Sequence, residues 1–320
     1  MTSGAEIIVT DLTDPHPLLD AFRRIGVRLE NFEAMERGAI GQETAACFAD
    51  PFGVLSKHPL RFRRLKRRFN AAGRPVIAWN RDAPWNCAIK PWRKPWIRPL
   101  GLIDIYLAHS LQGADAFGTN VHYFPNAADV DAYNLRGATL ESLRDPGRYR
   151  VDVAFYGSLS PSYPRVGARI AFIAALKDRL RAAGVSMDIR DACPGPEQMN
   201  VVQQIEQIQT SRVNLSVGAV CDDRERSWGM PERCFGVPAS GGFLLCDHRR
   251  HAADTFPADA WSDFRDLEDC VQRIRHFLDH FDETRRRAEV LHAEVMAHHS
   301  YRHRAEAILA LARDWRRQRS

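Results

Sequence analysis

The chain has 320 residues, 45% of them hydrophobic and 27% charged, which excludes wholesale disorder and suits two domains of about 150 residues each. Its 45 Lys+Arg against 40 Asp+Glu leave a formal charge of +5. That bias is compatible with phosphate-bearing ligands or an anionic surface, and too small to establish nucleic-acid binding.

No run approaches the roughly 18–20 apolar residues of a membrane helix. The N-terminus lacks a basic region followed by an apolar stretch, so no secretory signal is visible. Seven cysteines (47, 87, 193, 221, 234, 246 and 270) are scattered without a C-x-x-C pair. They read as reduced thiols and not as a disulfide framework or zinc site. A cytoplasmic enzyme is the expectation.

In chain order, strands are predicted at Glu6–Thr10, Cys47–Asp50, Pro75–Asn80, Ile103–Ala108 and Asn120–Phe124. Helical patterns lie between them, at His16–Ile25 and Pro59–Ala72, with Gly26 and Gly73 as left-handed stops. Residues 125–150 are polar and read as a linker that could touch ligand. The second half opens with a strand, Val151–Tyr156, a Gly157 turn and an amphipathic helix from about Arg165 to Ala183. A strand (Val185–Arg190), a helix (Glu197–Gln209) and a strand (Arg212–Val217) follow. The charged loop 218–230 then leads into PERCFGVPASGGFLLCD (231–247), a short helix, a Gly241-Gly242 break and an apolar strand. From Leu267 to Trp315 the pattern is almost continuously helical, with breaks near His280 and Ser300. Alternating strands and helices indicate parallel sheets, whose ligands sit beyond the carboxyl ends of the strands.

Several stretches together resemble the spore-maturation CgeB-like glycosyltransferases of the GT-B class. They are VDVAFYGSLSPSYPR (151–165), RVNLSV (212–217), the 231–247 segment and HHSYRHRAEAIL (298–309). Upstream, WNRDAPWN (79–86), DIYLAHSLQ (104–112) and YFPNAAD (123–129) fit the same pattern. The resemblance covers roughly residues 45 to 310 in order. It implies a GT-B-like α/β fold, two Rossmann-like doubly wound domains facing a central cleft. It also implies sugar transfer from a nucleotide-diphosphate donor, with no cofactor and no obligatory metal. On this reading residues 1–130 form an acceptor-side domain, 131–150 a linker and 151–297 the nucleotide-sugar domain. A C-terminal helix, 298–320, packs back on the first domain.

Two positions depart from the class. Gly236 stands where a glutamate usually grips the donor ribose, with Glu232 one helical turn back on nearly the same face. Ser158 stands where a basic residue is common, and Arg165 can supply charge from the same loop.

The chemistry needs compensation of a leaving diphosphate, for which arginine forks and backbone amides serve. Arg233 with the amides at Met230–Glu232 is the first choice, and the Gly157-Ser158 turn is a second. An ordinary salt bridge is the competing account of Arg233. Trp228 suits stacking on a base or sugar, and Gly236 and Gly241 complete the donor segment. Asp82, after the strand ending at Asn80, is the candidate base, with His109 the alternative; the competing account of Asp82 is a turn residue before Pro84. Asn126 and Asp129 either touch the sugar or cap a turn.

RFRRLKRRF (61–69) has six basic residues of nine, and Trp79, Trp85, Trp92 and Trp96 alternate with further cations to Arg98. This surface, 61–98, suits peripheral contact with an anionic membrane and a lipid-linked acceptor, although a helix merely showing charge to water explains it equally. A glycan or small-molecule acceptor is equally compatible. The alternatives are a non-catalytic GT-B-shaped glycan or partner binder, motivated by Gly236, and a nucleic-acid binder built on 61–98. The last ranks lowest, because both halves show ligand-cleft patterning and no recognised nucleic-acid module.

Overall fold

The computed structural model describes residues 6–35, 38–50, 59–81, 94–161, 166–195, 198–218 and 229–319. They divide into two units, residues 1–126 with 301–320 and residues 127–300.

The first unit is a six-stranded parallel sheet in the order β2-β1-β3-β4-β5-β6. The strands are β1 (Ile7–Thr10), β2 (Arg28–Asn31), β3 (Thr44–Ala49), β4 (Val76–Asn80), β5 (Ile105–Ala108) and β6 (Val121–Tyr123). Every residue of β1, β3, β4 and β5 is buried, as expected of parallel strands covered on both faces. Helix α1 (Pro17–Arg24) buries Leu18, Leu19, Ala21 and Phe22, and starts where His16 Nδ1 accepts from the Leu18 amide at 3.1 Å. The short α2 (Phe32–Met35) follows β2. In α3 (Pro59–Ala71), Phe62, Leu65 and Phe69 face the core while Arg63, Arg64 and Arg67 face water. Helix α4 (Lys94–Leu100) adds Ile97 to the same apolar cluster.

The second unit is a five-stranded parallel sheet in the order β11-β10-β9-β7-β8. Its strands are β7 (Val151–Gly157), β8 (Met187–Asp191), β9 (Ser211–Ser216), β10 (Leu244–Asp247) and β11 (Asp263–Phe264). Helix α5 (Gly167–Ala182) buries Ile173, Leu176 and Leu180 against it. Helix α6 (Val201–Gln209) opens on a reciprocal cap between Asn200 and Gln203, which sets its start four residues later than the pattern alone predicts. Helices α7 (Arg233–Ala239), α8 (Leu267–Asp279) and α9 (Phe281–His298) complete the unit. The last helix, α10 (Tyr301–Arg317), belongs to the first unit, where it packs on α1 and β3.

Residues 131–150, expected as a linker, fall within the second unit. Leu143 is fully buried and Tyr149 donates its hydroxyl to the Leu143 carbonyl at 2.6 Å. Gly241 has φ +80, and a Cβ there would meet Leu143 at 2.6 Å and Leu135 at 2.8 Å. The start and end of the unit are paired, the Ala128 amide donating to the His299 carbonyl at 2.8 Å. In the first unit, Arg304 of α10 donates to the carbonyls of Pro125 and Asn126, each at 2.9 Å, and lies over the Phe124 ring.

Two strands escaped the sequence reading. β2 is an edge strand reading Arg-Leu-Glu-Asn, with exposed ends and no apolar alternation. β11 is two residues long. The tail divides at the two expected breaks, into α8, α9 and α10.

Candidate active site

In a doubly wound sheet, loops leave neighbouring strands in opposite directions at one point, and a crevice opens there at the strands' carboxyl ends. The second unit has this switch between β7 and β9, which are neighbours although β8 follows β7 in sequence. β7 ends in Tyr156-Gly157 and β9 in Ser216. Arg233, the first residue of α7, joins them. Its Nε donates to the Leu215 carbonyl of β9 at 3.3 Å, and its Cζ lies 5.8 Å from the centre of the Tyr156 ring of β7. The Nη2 atom is buried and has no partner among the described residues. Burial lowers the Arg233 pKa to about 10, so the guanidinium remains a cation at neutral pH. A half-buried cation with a buried donor that no described residue uses is chemically suited to an anion.

Tyr133 flanks the same place. A Cβ built on Gly236 would stand 3.6 Å from its ring, an ordinary van der Waals contact, so the two are packing neighbours. The Tyr133 hydroxyl donates to Gln204 Oε1 at 2.5 Å. Burial raises the pKa values of both Tyr133 and Tyr156, while Arg233 opposes the rise in each.

The turn after β7 is held from two sides. Arg169 of α5 donates to the Ser158 carbonyl at 3.0 Å, and Ser158 Oγ lies 3.1 Å from Cys193 Sγ. A Cβ on Gly157 would stand 2.8 Å from the Phe155 ring, which keeps that position bare. Across the switch, a buried ion pair joins both flanks of the segment between β9 and α7. Asp247 Oδ2 accepts from the Gly218 amide at 3.1 Å and Oδ1 from Arg249 Nη2 at 2.6 Å, while Arg249 Nη1 donates to the Gly229 carbonyl at 3.0 Å.

The expected site residues separate accordingly. Gly157, Ser158, Arg233 and Gly236 gather at the switch point, with Met230 buried and Glu232 exposed just before α7. Gly241 lies past the other end of α7 and has a packing role under Leu135 and Leu143. The expected helix N-terminus proves to be that of a helix of seven residues, beginning at Arg233 itself. Asp129 accepts from the Ala132 amide through Oδ1 at 3.4 Å and from the Tyr133 amide through its carbonyl at 2.7 Å, shaping the turn that presents Tyr133. Asp82, Arg165 and Trp228 lie outside the described residues. Tyr133, Tyr156, Gln204 and Arg169 escaped the sequence reading. Their one signal was the Tyr-Gly pair ending a predicted strand.

In the first unit, His109 and Asn126 are buried together at the carboxyl ends of the strands. The His109 amide donates to the Asn80 carbonyl at 3.0 Å, and His109 Nδ1 lies 3.4 Å from Asn126 Nδ2. Asn126 also donates to the Arg81 carbonyl at 3.3 Å. The switch point of this sheet falls between β1 and β3. There Asp11 Oδ1 accepts from the Asp50 amide at 2.9 Å.

Burial, with the Asp50 charge beside it, raises the Asp11 pKa to about 6, from 3.8. A carboxyl raised on folding adds stability below its unfolded pKa and loses it as pH climbs through the folded value. The shift corresponds to a loss on the order of 3 kcal/mol between about pH 4 and pH 6. Asp11→Asn keeps an acceptor for the Asp50 amide. Its melting temperature is therefore expected to exceed that of the parent by several degrees at pH 7, with the gap closing towards pH 4. Parallel melting curves for the two proteins across this range would refute the assignment.

Residues 146–310, more than half of the chain, match the glycosyl transferase-like family. The chain belongs to that family. No curated protein matches it. Among solved structures, this glycosyl transferase-like chain is similar to Anabaena HepE in complex with UDP and glucose. The TM-score is 0.59 at 12% identity, over 96% of this chain and 100% of that one. It is similar to AviGT4, a glycosyltransferase involved in avilamycin A biosynthesis, with TM-score 0.57 at 11% identity over 98% of each chain. An α1,3-fucosyltransferase with GDP-fucose gives 0.51 at 12% identity, over 89% of this chain and 81% of that one. At such identities what is shared is the fold, two parallel-sheet Rossmann-like domains of the GT-B class.

Proposed function

We propose that this glycosyl transferase-like protein is a hexosyltransferase of the CgeB-like kind. It would move a sugar from a nucleotide-diphosphate donor to a hydroxyl of a glycan, lipid-linked or small-molecule acceptor. One observation carries the reading: Arg233, a half-buried cation whose Nη2 is buried and unused among the described residues, stands where the β7–β9 switch opens. A guanidinium offers two parallel donors to phosphate oxygens, and in an enclosed site it offsets the charge developing on a departing diphosphate. Similar structures hold UDP-glucose and GDP-fucose, donors of the same chemical class.

With Arg233 as the counter-charge, no metal is assigned a role. The test is a panel of UDP-, GDP-, ADP- and TDP-sugars with and without a chelator. Donor-dependent thermal stabilisation and nucleotide release that survive the chelator are expected. Stabilisation by none of the four sinks the reading. Binding without nucleotide release, with any acceptor offered, would favour the non-catalytic alternative that Gly236 suggests.

The acceptor-side proposal is an anionic membrane surface. On α3, Arg63, Arg64 and Arg67 are exposed beside Leu60 at 70% exposure, and Trp96 of α4 is 62% exposed. Both helices pack on one apolar cluster through Phe62, Leu65, Phe69 and Ile97. Cations beside exposed apolar side chains suit headgroups and the acyl boundary together. Among the described residues no helix is long and apolar enough to cross a membrane. Co-sedimentation with phosphatidylglycerol vesicles is expected, and is expected to be lost on reversing the three arginines to glutamate. Equal sedimentation with neutral phosphatidylcholine vesicles would contradict this.

A further inference from the structure

Tyr133, Tyr156, Gln204 and Arg233 come from four separate segments of the second unit, yet they form one connected group. Gln204, half-buried on α6, accepts from the Tyr133 hydroxyl through Oε1 at 2.5 Å. Its Nε2 donates to the Tyr156 hydroxyl at 3.3 Å and to the Met199 carbonyl at 2.9 Å. A primary amide suits this task, offering an acceptor and two donors in one plane. Its two ends fix two phenols of different origin, one at the end of β7 and one in the turn after Asp129.

Each phenol then borders α7. The Tyr156 ring lies under the Arg233 guanidinium, at 5.8 Å, and the Tyr133 ring covers the bare backbone of Gly236, one turn further along. The guanidinium itself is tethered at Nε alone among the described residues, through Leu215, with Nη2 left over. One tether leaves the fork's direction to be set by what it packs against. The direction matters, because bidentate recognition of a phosphate is geometric and a small misplacement forfeits most of its benefit.

We propose that Gln204 is a positioning residue for the donor's diphosphate: by tying Tyr133 to Tyr156 it fixes the direction of Arg233. It acts through the two tyrosines and not on the ligand. This rests on the donor-site reading above and names the residue that organises that site.

The test compares the best-bound of UDP, GDP, ADP and TDP with its parent nucleoside, by calorimetry on the full chain. The ratio of the two dissociation constants isolates what the phosphates contribute. Gln204→Met is expected to shrink that ratio by about fivefold or more, the loss of one well-placed hydrogen-bonded link. Nucleoside affinity is expected to stay within about twofold. Tyr133→Phe keeps the ring over Gly236 and removes only the hydroxyl. It is expected to shift the ratio in the same direction, and decides the matter if Gln204→Met does not fold. A merely structural glutamine would lower the melting temperature and weaken both ligands in parallel. An unchanged ratio in the folded variants overturns the proposal and leaves the donor site standing. Absence of diphosphate binding by the parent protein overturns both.

Discussion

Replacing Arg233 by methionine is expected to abolish stabilisation by nucleoside diphosphates while leaving the ligand-free protein as stable as before, or more so. The two halves of this result have one cause. Burial lowers the Arg233 pKa to about 10, from 12.5. A group lowered on folding adds stability above its unfolded pKa and loses it as pH falls through the folded value. At neutral pH the charged guanidinium is therefore a burden on the empty fold, on the order of 3 kcal/mol before any discount for its partial exposure. On the proposed donor-site reading, a diphosphate would reverse that burden by pairing with the unused donor.

Removing such a preorganised contact in an enclosed site costs about 100-fold or more in turnover. Arg233→Lys is expected to recover little, because an ammonium presents one point of charge where a fork presents two donors. Thermal melts with and without UDP, GDP, ADP or TDP measure both halves. A variant that melts far below the parent without ligand, or that keeps the ligand-induced shift, would show that Arg233 is a structural residue. Its stabilisation by nucleotide is also expected to fade above about pH 10 in the parent, where the guanidinium loses its proton.

The second large effect belongs to Arg249. This side chain is 4% exposed and donates to Asp247, to the Gly229 carbonyl and to Cys246 Sγ. Burial alone would push its pKa down, but Asp247 beside it holds the guanidinium firmly charged. Arg249→Met leaves Asp247 buried without its counter-charge, a defect that costs about 3–5 kcal/mol. It also frees one flank of the segment between β9 and α7, since Gly229 loses its donor while Gly218 keeps Asp247. Urea unfolding is expected to show the full loss in the single variant. The double variant Asp247→Leu with Arg249→Met should regain part of it, because replacing both charges removes the unpaired one. Additive losses in the double variant would mean that the two residues act separately. Nucleotide affinity is expected to fall as well, because α7 begins at Arg233, only four residues after Gly229.

Stability and function thus pull on neighbouring parts of one unit. Arg249 is a satisfied cation that holds the frame, and Arg233 is one whose Nη2 no described residue satisfies, which the proposed reading assigns to a ligand. Natural sites commonly keep such tension, since a group fully satisfied by the protein has nothing left for a ligand.

How much of this was legible in the sequence depended on how local the cause was. Parallel strands buried on both faces announce themselves as short apolar runs, so β1, β3, β4, β5, β7, β9 and β10 were found within a few residues. Helix boundaries with strong local signals, such as Gly26, Gly73, His280 and Ser300, were likewise readable. The helix–strand unit within 231–247 was visible through the Gly241-Gly242 break, because that break is a local peculiarity. What packs against Gly241 was not legible: its bare Cα admits Leu135 and Leu143, which lie about a hundred residues earlier.

What the chain's order of residues determined by itself was the alternation of strand and helix, and with it two parallel sheets. Only the tertiary structure decided which strands are neighbours, and therefore where each sheet switches direction. It alone brought Gln204 within reach of Tyr133 and Tyr156, residues 71 and 48 positions away. It alone brought the Tyr133 ring against Gly236. The physical reason is that strand periodicity and helix caps act over a few residues. Burial, a shifted pKa or an unused donor arises from neighbours that the sequence does not adjoin.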